Sequence, residues 1–314
     1  TNCRNQFPST APTGSNVTVA GGPLNDYILS VLLGIVEGLT EFLPVSSTAH
    51  LRLAEAMLHL DLASPYWKMY TIVIQLGAIL ALVLLFTGRI LEFFRTFPQG
   101  ENGDRTALTH PLSLTLVAFV CTAVPSLLLV KLIGKHLESI HLMAWALLIG
   151  GVVMWLVDAL SVRRDLKTKD VEQMTLFQAV WVGLWEVTSA VFPGVSRSMS
   201  TIAAGQAVGM TRTAALEFSF LLSIPVMIAA TGYEFLRTIH PKQVPGGEAI
   251  VPLVMTTHGW IVLGIGFVVS FVVALGVVEW FLLWVRRHGF VIFALYRIIL
   301  GSLLLAFGAK LAGA

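Results

Sequence analysis

The chain is 314 residues long, 56% apolar and only 12% charged, with a mean hydropathy of +0.81. Soluble chains carry roughly 45–50% apolar and about 25% charged residues. A soluble fold, a disordered chain and a nucleic-acid binder are therefore excluded, which leaves an all-α polytopic membrane protein. With 20 basic against 18 acidic residues, the net charge of +2 points to no polyanionic partner.

Residues 1–25 are rich in Thr, Asn, Pro, Gly and Ser and lack the basic and apolar regions of a signal peptide. They read as a flexible tail, with Thr1 the mark of a processed or artificial end, and 26–314 as a single membrane domain. Cys3 and Cys121 cannot build a disulfide framework, and Cys121, inside an apolar run, reads as packing.

Six apolar stretches are long enough to cross a hydrocarbon core of about 30 Å: roughly 66–86, 112–134, 140–160, 214–236, 258–285 and 290–312. Trp67, Trp145, Trp260 and Trp284 near their ends read as interfacial anchors. Two further regions, about 27–60 and 176–210, are apolar but interrupted. One break reads Glu41-Phe42-Leu43-Pro44-Val45-Ser46-Ser47-Thr48, the other Phe192-Pro193-Gly194-Val195-Ser196-Arg197-Ser198. Non-helical backbone at membrane depth is tolerated only inside protein or around a polar cavity. Both regions are therefore predicted to be helix–break–helix re-entrant hairpins.

Gly183, Glu186, Pro193 and Ser196 each stand 149 residues after Gly34, Glu37, Pro44 and Ser47. The chain thus divides into repeat one, about 27–160, and repeat two, about 176–312, each a hairpin followed by three spans. An odd number of crossings inverts the second copy, and such repeats place their site where the broken elements meet. Basic residues number ten in the loops away from the N-terminus (Arg89, Arg95, Arg105, Arg163, Arg164, Lys167, Lys169, Arg212, Arg286, Arg287) and seven on the other side. The positive-inside rule then puts both termini outside.

Glu37 and Glu41, four apart, share one helix face, and each costs about 2.5–3.5 kcal/mol at membrane depth. They read as functional carboxylates, with a protonated structural pair as the plainer reading. Pro44 is expected to open the second half-helix, so that its free N–H groups and the hydroxyls of Ser46, Ser47 and Thr48 form an anion site. Ser47 lies three residues from His50, a spacing suited to an activated nucleophile, although such hydroxyls more often pack or bond back to carbonyls. Arg197, between Ser196 and Ser198, has a fork suited to phosphate oxygens. Its plainer reading is an ion pair with Glu37, Glu41, Glu186 or Glu217. Gln75, Glu217 and Arg212 are candidates for supporting the site. No Walker A loop, dinucleotide fingerprint or zinc spacing occurs.

The run from Glu37 to His50 and the run from Pro193 to Ser198 resemble the two motifs of the undecaprenyl-pyrophosphate phosphatase (bacitracin-resistance) family of bacterial inner membranes. Val73-Ile74-Gln75-Leu76-Gly77 and Glu217-Phe218-Ser219-Phe220-Leu221-Leu222 are similar to it as well. Met199 replaces the family's usual glycine after Ser-Arg-Ser. The resemblance implies hydrolysis of an isoprenyl pyrophosphate lipid to its monophosphate, recycling a cell-wall carrier with a divalent cation, Mg²⁺ or Ca²⁺. It implies that Glu37 and Glu41 are essential and hold the metal, that Ser47 and His50 are catalytic, and that Arg197 binds phosphate. Either Ser47 or His50 is then the nucleophile. Membrane lipids and the substrate are the expected partners, a homodimer is left open, and no nucleic acid is expected. A transporter or lipid flippase using the same buried charges is the alternative. The Ser47–His50 spacing beside a helix start, which transport does not require, favours hydrolysis.

Overall fold

A computed structural model describes residues 23–58, 60, 65–100, 103, 105–133, 139–161, 166–239 and 255–311. The tail expected at 1–25 thus lies outside the described residues, except that a helix already begins at Pro23. Among the described residues there are ten α-helices: α1 (Pro23–Thr40), α2 (Ser47–Met57), α3 (Pro65–Thr96), α4 (Pro111–Ile133), α5 (Ile140–Ser161), α6 (Leu176–Val191), α7 (Arg197–Ala207), α8 (Arg212–Ile239), α9 (Thr257–His288) and α10 (Val291–Leu311). Six of them, α3–α5 and α8–α10, are long and apolar enough to span a membrane. The chain is a multi-pass membrane protein, and α1–α2 and α6–α7 are its two helix–break–helix units.

Local chemistry sets these boundaries. Pro23, Pro65 and Pro111 stand at first helical positions, where the missing N–H costs nothing. Thr175 and Gln178 cap α6 reciprocally. Gly289, at φ 70°, ends α9 and lets α10 begin two residues later. Hydropathy ends the first span near residue 86, yet α3 runs on to Thr96, because Arg89 and Glu92 make a helix-compatible i,i+3 pair at 3.1 Å.

The packing comes in exchanged pairs. The first arm of each hairpin lies against the other repeat: α1 on α9, α6 on α4. Between them α3 packs on α8 and α5 on α10. Small residues permit the closest approaches, as where Gly301 of α10 faces the Ala144 carbonyl of α5. Exposed Leu84, Leu128, Ile149, Val272, Leu283 and Phe307 form an apolar exterior, as a lipid-facing surface requires. Trp145 and Trp260 belong to it. Trp67 does not: it is 4% exposed, packed edge-on against Tyr66 and Tyr70, and is a core residue, not an anchor.

One polar knot ties α5, α7, α8 and α10 together. Fully buried Asp158 accepts from Arg212 Nε (2.7 Å) and Nη2 (2.9 Å), from Gln206 Nε2 (3.1 Å) and from the Phe290 amide (3.2 Å). Four donors satisfy a buried carboxylate. Arg212 is thus a structural partner of Asp158.

Candidate active site

Both breaks are short turns between half-helices that each regain helix at a serine cap. Ser46 and Ser196 adopt φ 75° and φ 70°, the only non-glycine residues with positive φ among the described residues. Such backbone costs of order 1–3 kcal/mol and persists where surroundings enforce it, commonly at functional sites. Each cap hydroxyl accepts from the amide three residues on, Ala49 (3.4 Å) and Met199 (3.3 Å).

These caps correct two expectations. Pro44 does not open α2; it lies in the turn, three residues before the helix, because the strained Ser46 must still reverse the chain. Moreover, Ser196 is the structural counterpart of Ser46, not of Ser47. Between its proline and its serine cap the second break holds one extra residue, Gly194 at φ 93°, so the offset of 149 becomes 150 beyond it. Arg197 therefore occupies the first position of α7 as Ser47 does in α2.

These two equivalent residues meet on one carboxylate. Ser47 Oγ donates to Glu41 Oε2 at 2.5 Å, and Arg197 Nη2 is ion-paired with Glu41 Oε1. The Glu41 side chain is 2% exposed and that of Arg197 23%. Ser198 Oγ crosses between the breaks to the Leu43 carbonyl at 3.0 Å and lies 3.1 Å from Ser196 Oγ. Thr48 is exposed beside them. The amino ends of α2 and α7 thus point their free N–H groups and positive dipole ends at the same junction, which favours an anion.

His50 faces elsewhere. The Ser46 carbonyl, which can only accept, takes its Nδ1–H at 2.7 Å, and Nε2 receives the Tyr296 hydroxyl at 2.6 Å, the two rings stacked. The hydrogen-bond partner of Ser47 is Glu41, not His50 as the spacing suggested. Glu217, grouped with the site from sequence, is held by Arg89 Nε at 2.9 Å, in a cluster with Glu92 and Glu172. Gln75 is half-buried on α3.

Arg297 was not among the residues that sequence reasoning selected. It is completely buried, and its guanidinium donates to the carbonyls of Pro44 (3.2 Å), Ala146 (3.1 Å), Gly194 (3.1 Å) and Val195 (3.0 Å). One side chain on α10 therefore clamps both breaks to α5. Among the described residues no carboxylate pairs with it, so its positive charge stands behind the junction. The available signal was a lone arginine inside the apolar run 290–312, which at membrane depth points to function by default.

Glu37 is fully buried, and neither of its oxygens has a hydrogen-bond partner. An orphaned carboxylate four residues from Glu41 suits a hard divalent cation, which prefers oxygen ligands. Among the described residues no set of three His, Cys, Asp or Glu side chains could hold a metal alone. Such a cation would therefore take its remaining ligands from substrate phosphate and water, as Mg²⁺ commonly does.

The profile of the family described as bacitracin resistance protein BacA matches residues 30–303. An undecaprenyl-diphosphatase of Koribacter versatilis is 60% identical over 287 residues, 91% of this chain and 100% of that protein. One from Rhizobium etli (strain CFN 42) is 40% identical over 286 residues, 90% of this chain and 98% of its own. One from Caldanaerobacter subterraneus subsp. tengcongensis is 38% identical over 278 residues, 88% and 94% respectively.

Proposed function

The chain belongs to the bacitracin resistance protein BacA family, and from that premise we propose that it hydrolyses undecaprenyl pyrophosphate to undecaprenyl phosphate and inorganic phosphate. The observation that carries the chemistry is the shared Glu41 carboxylate, with a serine hydroxyl on one oxygen and an arginine on the other, between two helix amino ends. In this reading Ser47 Oγ attacks the terminal phosphorus and passes its proton to Glu41. The bridging P–O bond breaks and undecaprenyl phosphate leaves. Glu41 has by then given its proton to the departing phosphate; water cleaves the phosphoserine, its proton taken by the freed carboxylate and returned to the serine oxygen. Arg197 leaves Glu41 for the phosphate oxygens, where its fork, the Ser196 and Ser198 hydroxyls, Ser46, Thr48 and the amino ends of α2 and α7 stabilise the developing charge.

Glu37 and Glu41 are the residues that would hold Mg²⁺ or Ca²⁺, which when bound supplies charge neutralisation on the pyrophosphate. His50, whose Nε2 accepts from Tyr296, becomes a proton donor to the leaving phosphate only as an imidazolium, after that hydroxyl has moved aside. Gln75 remains a supporting residue. The same reading keeps 26–314 as one membrane domain of two inverted repeats. It places the domain in the bacterial inner membrane with both hairpins re-entrant and both termini outside, supported by the ten-to-seven basic bias.

Phosphate release by the purified, detergent-solubilised chain tests this. Release from undecaprenyl pyrophosphate that needs Mg²⁺ or Ca²⁺, stops on chelation and leaves a trappable phosphate on Ser47 is expected. Release that survives Ser47→Ala would remove the serine from the nucleophile role. Labelling of tagged termini only in permeabilised cells would reverse the orientation.

A further inference from the structure

The two repeats, set in register, differ at one buried contact. In repeat two, a side chain on Gly183 would strike the Ala118 carbonyl, and one turn further Thr122 Oγ1 donates to Glu186 Oε2 at 2.9 Å. In repeat one, a Cβ on Gly34 would lie 2.8 Å from the Gly266 carbonyl. Thr122 follows Ala118 by four residues and Ser270 follows Gly266 by four; Glu186 follows Gly183 by three and Glu37 follows Gly34 by three. Ser270 on α9 is therefore the counterpart of Thr122, standing across from Glu37. Gly38 brings the helices together there, since its Cβ would lie 2.8 Å from the Ser270 carbonyl, whereas α6 carries Val187 at that place.

In repeat two the hydroxyl and the carboxylate meet through Glu186 Oε2, although Glu186 Oε1 has no partner and the Ala118 and Gly183 carbonyls also lie within reach of Thr122 Oγ1. In repeat one they do not: Ser270 Oγ and both Glu37 oxygens are buried without any hydrogen-bond partner. Orphaned oxygens on both helices of this pair are what a buried interior disfavours unless a further group completes them. The bond made in repeat two, Thr122 to Glu186, indicates which partner each could take.

We propose that Ser270 is a positioning residue for Glu37, donating its hydroxyl to one carboxylate oxygen when the other faces the divalent cation and pyrophosphate. This rests on the reading that Glu37 carries the cation. A partner of this kind fixes the plane of a metal-binding carboxylate, and its loss typically weakens metal binding 10–100-fold.

Mn²⁺ is the probe, its binding to the full-length, detergent-purified chain saturated with a non-hydrolysable pyrophosphate lipid read by electron paramagnetic resonance, with thermal unfolding followed in parallel. Ser270→Ala is expected to raise the Mn²⁺ dissociation constant about 10-fold or more. It should raise the Mg²⁺ concentration for half-maximal phosphate release by the same factor, while kcat at saturating Mg²⁺ holds. Ser270→Thr, which keeps the hydroxyl, should restore affinity. Thr122→Val should lower thermal stability and leave Mn²⁺ affinity alone. If Glu37→Gln abolishes Mn²⁺ binding while Ser270→Ala binds as wild type, the assignment of Ser270 falls and the reading of Glu37 stands. If Glu37→Gln also binds as wild type, both fall. Should Ser270→Ala not fold, Ser270→Cys, nearly the same shape with a weak donor, decides by the same readouts.

Discussion

The two hairpins begin alike and end differently. Each runs from a half-helix through a strained serine cap into an eleven-residue helix. In α7, nine residues from Ser198 to Gln206 are buried in unbroken succession, against α5, α6 and α8. In α2 only Ser47, Ala49, Leu51 and Glu55 are buried, and α1 is its principal neighbour. The sequences account for this: Ser-Met-Ser-Thr-Ile-Ala-Ala-Gly lets helices close on every side, whereas Thr48, His50 and Arg52 keep part of α2 polar and incompletely buried. Two similar turns thus carry different helices: α7 is a wedge that fixes Arg197, and α2 carries the hydroxyl and imidazole side chains.

The largest expected effect tests whether the carrier holds the nucleophile. Ser47→Ala should reduce kcat by about 10³-fold or more while binding of a non-hydrolysable pyrophosphate lipid persists. Its counterpart change, Arg197→Lys, should reduce kcat/KM by about 10²-fold, because a point charge cannot replace the fork, with the loss shared between binding and turnover. Equal phenotypes for both would mean that the two helix starts are not specialised.

Next in size is the residue common to both hairpins. Arg297→Met leaves four buried carbonyls without their donor and should destabilise the protein by about 2–4 kcal/mol. Thermal unfolding in detergent measures this, and an unchanged midpoint would deny the clamp its role. The smallest effect sharpens the contrast in packing. Gly205→Leu in α7, where a Cβ would already lie 3.0 Å from that of Ala215, should cost about 1–3 kcal/mol. Ala56→Leu on half-buried α2 should change stability by less than about 0.5 kcal/mol. Comparable losses would show that α2 is packed as tightly as α7.

Much of this was legible from residue type alone. Hydropathy located the six spans, and proline with hydroxyls and carboxylates inside apolar runs located both breaks. Glu41, Ser47 and Arg197 were singled out because ionisable groups and reactive hydroxyls are costly or rare at depth, and they do converge. Their pairing was not legible. The three-residue spacing of Ser47 and His50 suggested a dyad, but the Ser46 carbonyl and Tyr296 take the imidazole, and Glu41, six residues back across a turn, takes the serine. Matching Ser196 to Ser47 by identity missed the register shift made by Gly194, which only backbone geometry displays. Arg297 was passed over because its partners are carbonyls, which every residue carries and no sequence pattern marks.

The clamp also governs when the enzyme can first work. Both turns are synthesised and inserted long before α10, yet the guanidinium that draws them together sits on that final described helix. During biogenesis Ser47 and Arg197 would wait, not yet held to one another, until α10 threads between α5 and the breaks. Activity should therefore arise in a single step once α10 is in place, and a nascent chain arrested before α10 should hydrolyse nothing.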